Sequence, residues 1–148
     1  MKLHAFVFLG LILFSCGKKP LTEPFTRVYG SFEWKQTTYR ENASSELQTI
    51  NATGHQFTAK VVFSDDFMVR LYINDIELAS GKFRVLSRTQ NGDDFEMRLR
   101  VRYKGELDLG NELRVSMFGN DSLFLYNFPY PGYSELNGVA HVNFFKRQ

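Results

Sequence analysis

Few residues in this chain have the chemistry to act on a substrate. It has 148 residues and 3 histidines, of which His55 and His141 lie beyond the apolar N-terminus. Neither has a second histidine, a cysteine or a carboxylate at the separations metal ligands use. Asp65-Asp66 and Asp93-Asp94 are paired carboxylates, but both pairs sit among turn-forming residues, where aspartate is favoured for bonding to the backbone. No nucleophile elbow, phosphate loop or Cys–His arrangement is present. The chain therefore reads as non-catalytic, with no metal site and no cofactor expected. There are 18 lysines and arginines against 16 acids. That balance leaves no basic field large enough to argue for nucleic acid.

One thiol remains, Cys16, the only cysteine in the sequence. It follows an apolar run, Ala5 to Phe14, behind a short basic start at Lys2. A run of about ten residues is too short to span a bilayer as a helix, which takes roughly 20. It suits the apolar core of a secretory signal. The run ends in Leu13-Phe14-Ser15-Cys16-Gly17, which resembles a lipobox: an aliphatic residue at −3, a small residue at −1, then cysteine. The resemblance implies a signal peptide over 1–15, cleavage before Cys16, and lipid on its thiol and new amino group. Two or more acyl chains hold a protein stably on a membrane, and Lys18 and Lys19 could sit against anionic head groups. Residues 16–26, with Pro20 and Pro24, read as a tether. The expected location is the bacterial cell envelope, most readily the outer membrane, with the domain in the periplasm or at the cell surface.

Residues 27–148 must then form the domain, without a disulfide. Their period is near 2, with turn signals about every ten residues. Phe95 to Tyr103 alternates apolar and charged residues without a break. Phe95, Met97, Leu99, Val101 and Tyr103 therefore share one face of a strand, opposite Glu96, Arg98, Arg100 and Arg102. Val28 to Arg40 reads as a first strand, and Glu41 to His55 as a long polar loop. Gln56 to Phe63 has Phe57, Ala59, Val61 and Phe63 in phase, and Phe67 to Ile73 has Phe67, Val69, Leu71 and Ile73 in phase. Ile76 to Leu86 has Gly81 as a candidate bulge, and Asn91-Gly92-Asp93 is a hairpin signal. Strands over Glu112 to Phe118, Leu123 to Phe128 and Gly138 to Lys146 complete the set. About eight strands with short links imply an all-β fold, an antiparallel up-and-down barrel closed on itself. A two-sheet sandwich is the alternative.

These features resemble the lipocalin-like domain of bacterial lipoproteins. Gly30-Ser31-Phe32-Glu33-Trp34 is similar to the family's opening Gly-x-Trp strand. Gly119-Asn120-Asp121-Ser122-Leu123-Phe124-Leu125 resembles its Gly-Asp-Thr-Leu strand entry. Phe144-Phe145-Lys146-Arg147 is similar to a terminal aromatic-x-Arg. The resemblance implies that Arg147 covers Trp34 in a cation–π contact.

An eight-stranded barrel holds either packed side chains or one small ligand. On the first reading of function, a small apolar or amphipathic ligand sits among Trp34, Phe57, Phe63, Val69, Leu71, Phe95, Met97 and Leu99. On the second, the barrel is packed, Trp34 is a core anchor, and loops bind a protein or glycan. Tyr130 and Tyr133, held by Pro129 and Pro131, are the contact candidates there. The arginine ladder is either a solvated wall partnered by acids on neighbouring strands, or a patch for an acidic partner or lipid head groups.

Overall fold

The computed structural model describes residues 26–105, 112–126, 128 and 141–148. Nine strands form one antiparallel sheet: β1 (Gly30–Tyr39), β2 (Gln48–Asn51), β3 (Ala59–Phe63), β4 (Met68–Ile73), β5 (Ile76–Asn91), β6 (Asp94–Gly105), β7 (Glu112–Phe118), β8 (Ser122–Tyr126) and β9 (His141–Arg147). Sequential neighbours pair from β3 to β9, and β9 returns to β1, with Phe32 facing Arg147 and Tyr39 facing His141. This closes the sheet into a barrel, while β2, which pairs with β1 alone, keeps an unpaired outer edge among the described strands.

Strands β2 and β3 occupy one place in that barrel. Both lie on the same edge of β1, end to end. Gln36 faces Asn51 in β2 and Glu33 faces Lys60 in β3. Residues 52–58, which include a 3-10 turn over Ala52–Gly54, interrupt the strand between them. The barrel therefore has eight strand positions, as the sequence implies, with the second one broken. The polar stretch Glu41 to His55, expected to be all loop, contains β2. Only Ile50 of that strand is even half-buried, so it carries no alternation to read.

Alternation turns every other side chain of each strand toward the barrel axis. Phe32, Trp34, Val61, Phe63, Val69, Leu71, Phe95, Met97, Leu99, Val115, Leu125 and Phe145 are among the side chains that fill it, none more than 5% exposed. The buried apolar cluster runs from Val28 to Phe145. A chain beginning at Gly17 therefore keeps every core residue.

Two local expectations are corrected. Gly81 is not a bulge: it pairs regularly with Val69 and Tyr103, and the irregularities fall where β5 passes Leu71–Tyr72 and within Val85–Ser87. Glycine is needed at 81 because a Cβ there would meet the Arg102 carbonyl oxygen at 2.7 Å. Phe67 does not continue the β4 phase. It closes the turn after Asp66 with φ 61°, donating its N–H to the Ser64 carbonyl at 3.1 Å, and its ring lies half out against Phe83.

The base of the barrel carries the β3–β4, β5–β6 and β7–β8 turns and a 3-10 turn over Thr26–Val28. Two arginines fasten it. Arg27 donates to the carbonyls of Asp93 and Gly119, both at 2.6 Å. Arg147 donates to the carbonyls of Tyr29 and Asn120 at 2.7 Å, and to that of Arg27. Its guanidinium lies over Phe32, 4.5 Å from the ring centroid. The contact expected with Trp34 is therefore made with Phe32. Phe32 is two residues after Gly30, the spacing that puts a ring beside the terminal arginine, whereas Trp34 stands one pleat repeat further up.

Candidate functional site

The mouth, opposite the base, is where strand ends and the interrupted strand meet. A buried chain of hydrogen bonds leads there from Trp34. Its indole N–H donates to Thr37 Oγ1 at 3.0 Å, and the Thr37 hydroxyl donates to Asn143 Oδ1 at 2.6 Å. Asn143 Nδ2 donates to the Phe128 carbonyl at 2.9 Å, and His141 Nε2 lies 3.1 Å from the same oxygen. A carbonyl only accepts, so Nε2 of His141 is the donor in this contact and the Asn143 amide has one possible orientation. Thr37, Asn143 and His141 are all buried. Together they hold Phe128 in the core with its ring 1% exposed.

Two clefts open beside this chain. One, of about 450 Å³, lies on the outer wall at the mouth end of the barrel, between Tyr39, Leu47, Leu113, Tyr126, His141 and Val142, with Arg40, Arg98, Glu112 and Arg114 at its edge. The other, of about 370 Å³, lies at the strand break. There Phe57 stacks on Trp34 at 5.7 Å with planes 4° apart, and His55 approaches both rings.

The proposed lining residues are brought together, but as a packed set. Phe63, Val69, Leu71, Met97 and Leu99 are 2% exposed or less and Phe95 5%. A side chain bordering a water-sized void would show accessible surface. Trp34 is equally buried, its N–H satisfied by Thr37, and Phe57 covers it from outside β3. Cys16, Tyr130 and Tyr133 lie outside the described residues. Among the described residues, no three His, Cys, Asp or Glu side chains converge as a metal would require. Sequence reading misses Thr37 and Asn143, and it places Phe128 only at the end of a strand. The available signal was the in-phase set His141, Asn143 and Phe145, which puts two polar groups on the same face as a core ring.

Tyr103 carries an unsatisfied polar group at this level. Its hydroxyl is buried without a hydrogen-bond partner among the described residues, and burial pushes its pKa well above the ordinary phenol value. An unsatisfied buried hydroxyl costs about 1–3 kcal/mol. Tyr103→Phe is therefore expected to stabilise the barrel by about 1 kcal/mol, read as a higher urea midpoint. A lower midpoint would mean that the hydroxyl has a partner in solution.

No family model matches the chain, and no curated protein or solved structure matches it either. The closed eight-position antiparallel barrel is consistent with the lipocalin-like superfamily in general. That is a statement about architecture, and many functions share one fold.

Proposed function

We propose that this chain is a lipid-anchored, non-catalytic binding protein of the bacterial envelope, taking a small apolar or amphipathic ligand at the mouth of its barrel. The observation that carries the reading is the mouth cleft. Its volume of about 450 Å³ falls in the range of small-molecule sites, roughly 300–1,000 Å³. Tyrosine, leucine and valine walls suit an apolar body, and Arg40 at the edge suits a polar or acidic head, since Arg98 and Arg114 are already paired with Glu112 and Glu96. The packed axis favours the mouth over the interior as the ligand's place. The anchor rests on the lipobox-like sequence ending at Cys16 and on the tether that follows.

Two arms test this proposal. The full chain is expected in the membrane fraction, and Cys16→Ala outside it; a variant that stays with the membrane without aggregating overturns the anchor. A chain beginning at Gly17 is expected to bind an apolar fluorescent probe saturably and one-to-one. Val142→Trp, which fills the cleft from its wall, should weaken that binding at least tenfold. Binding unchanged by Val142→Trp removes the ligand from the mouth. No saturable binding at all overturns the small-ligand reading in favour of a packed barrel with a protein or glycan partner.

A further inference from the structure

The outer wall of the barrel divides into a balanced part and an unbalanced part. On most of the wall each cation has an acid beside it. Lys60 pairs with Asp75 at 2.9 Å, Arg70 with Asp66 at 3.5 Å, Lys35 with Glu33 at 2.5 Å and Lys146 with Asp121 at 3.8 Å. The β5–β6 hairpin departs from this. Its outward residues Lys82, Arg84, Arg98, Arg100, Arg102 and Lys104 are all exposed. The register sets like charges directly opposite each other: Lys82 faces Arg102, Arg84 faces Arg100, and Arg98 faces Arg114 on β7. Glu112 is shared between Arg98 and Arg100, and Glu96 is taken by Arg114. Among the described residues, no acid is paired with Lys82, Arg84, Arg102 or Lys104.

Like charges directly opposite across a ladder are destabilising. A sheet that needed only solubility would mix signs, as the rest of this wall does. The arrangement makes sense if a counter-charge arrives from outside. The geometry points to the outer face of β5–β6 as a docking surface for anionic lipid head groups.

Shape and position favour a membrane over a small anion. The cations lie in two rows one strand spacing apart, about 4.8 Å, and from Arg98 to Lys104 the field runs about 20 Å. A small anion would touch two of them, whereas a charged surface engages the whole field. The base could not serve instead, because its turns carry Asp65, Asp66, Asp93, Asp94 and Asp121. An anionic surface would repel that end and turn the barrel onto its flank. The choice of a membrane over other polyanions rests on the proposed anchor at Cys16. The ten steps of chain from Cys16 to Thr26 reach at most about 35 Å when extended, which holds the flank within range of the bilayer.

The test separates the flank from the anchor by using the unlipidated chain beginning at Gly17. It is mixed with vesicles of phosphatidylcholine alone or with three-tenths phosphatidylglycerol, and sedimented. Binding is expected to the anionic vesicles only, and to fall as salt rises, since exposed charges are screened beyond about 8 Å at physiological ionic strength. Each cation at such a surface contributes about fivefold. Arg84→Gln with Arg102→Gln should therefore weaken binding about 25-fold, while Lys35→Gln with Lys60→Gln on the balanced wall changes it less than twofold. The flank variant should melt no lower than the parent, because it removes like-charge contacts. No binding to anionic vesicles, equal binding to both vesicles, or binding to soluble polyphosphate without binding to vesicles would each overturn the proposal. Failure of the anchor is read separately, from the membrane partition of the full chain.

Discussion

Asn143→Asp is expected to cost the barrel about 3 kcal/mol or more at pH 7, and to return most of that loss as the pH falls toward 4. Asn143 sits fully buried between two groups of opposite demand. Its Oδ1 accepts from the Thr37 hydroxyl and its Nδ2 donates to the Phe128 carbonyl. A carboxylate still accepts from Thr37, but it sets a charged oxygen against the Phe128 carbonyl where a donor stood. Burial and that repulsion raise the folded-state pKa of the new carboxyl above its unfolded value, near 3.9. Below the unfolded value the group is protonated in both states and can donate to Phe128 as the amide did. As pH rises above it, the penalty grows by about 1.4 kcal/mol per unit until the folded pKa is reached.

The background slopes the other way. The Ser64 hydroxyl holds the Asp66 carboxyl below its usual range, and Arg98 does the same for Glu112. Depressed carboxyls contribute stability above their unfolded pKa, which is lost as pH falls through the folded one. The difference between variant and parent is therefore the quantity to follow, by urea unfolding from pH 4 to 8. Asn143→Leu is the control, with a loss that does not change with pH. A pH-independent loss in Asn143→Asp as well would show that this network does not exclude charge.

That network also shows where sequence reading stops. A two-residue period reports which side chains share a face, and Phe95 to Tyr103 does so cleanly because its outer face is all charge. It does not report which face is inside when both are mixed. On β9, His141, Asn143 and Phe145 point in, while Val142 and Phe144 point out. Phe144, Phe124 and Phe118 form a chain of rings on the outer wall, 5.0 and 5.2 Å apart, although their composition resembles core. The barrel count was legible because seven of its strand positions carry alternation. The broken eighth was legible only from Ala59 to Phe63, since β2 is polar on both faces. The charge of the β5–β6 flank was visible as an arginine ladder. Its imbalance was not, because that depends on register: which residues face the arginines is a fact of pairing rather than of order along the chain.

Register also decides the second large effect, at the base. Arg147→Met is expected to cost about 3 kcal/mol, although it keeps an apolar cover on Phe32. Three carbonyls, of Arg27, Tyr29 and Asn120, lose a charged donor, and bonds to charged groups are worth about 1.5–3 kcal/mol each when the acceptor is left unsatisfied; water reaches part of this site and reduces the sum. Gly30 is coupled to the same arginine. It has φ 139°, and a Cβ there would run into Arg147 Nη1. Gly30→Ala alone therefore pays for both backbone strain and a displaced guanidinium. In the Arg147→Met background, whose flexible side chain can give way, mainly the strain remains. The double variant should be more stable than the sum of the two single losses predicts, by at least 1 kcal/mol in chemical denaturation, because contacting residues do not act additively. Strict additivity would mean that the arginine does not occupy the space left by Gly30. The loss in Gly30→Ala would then be backbone strain alone, independent of where the guanidinium lies.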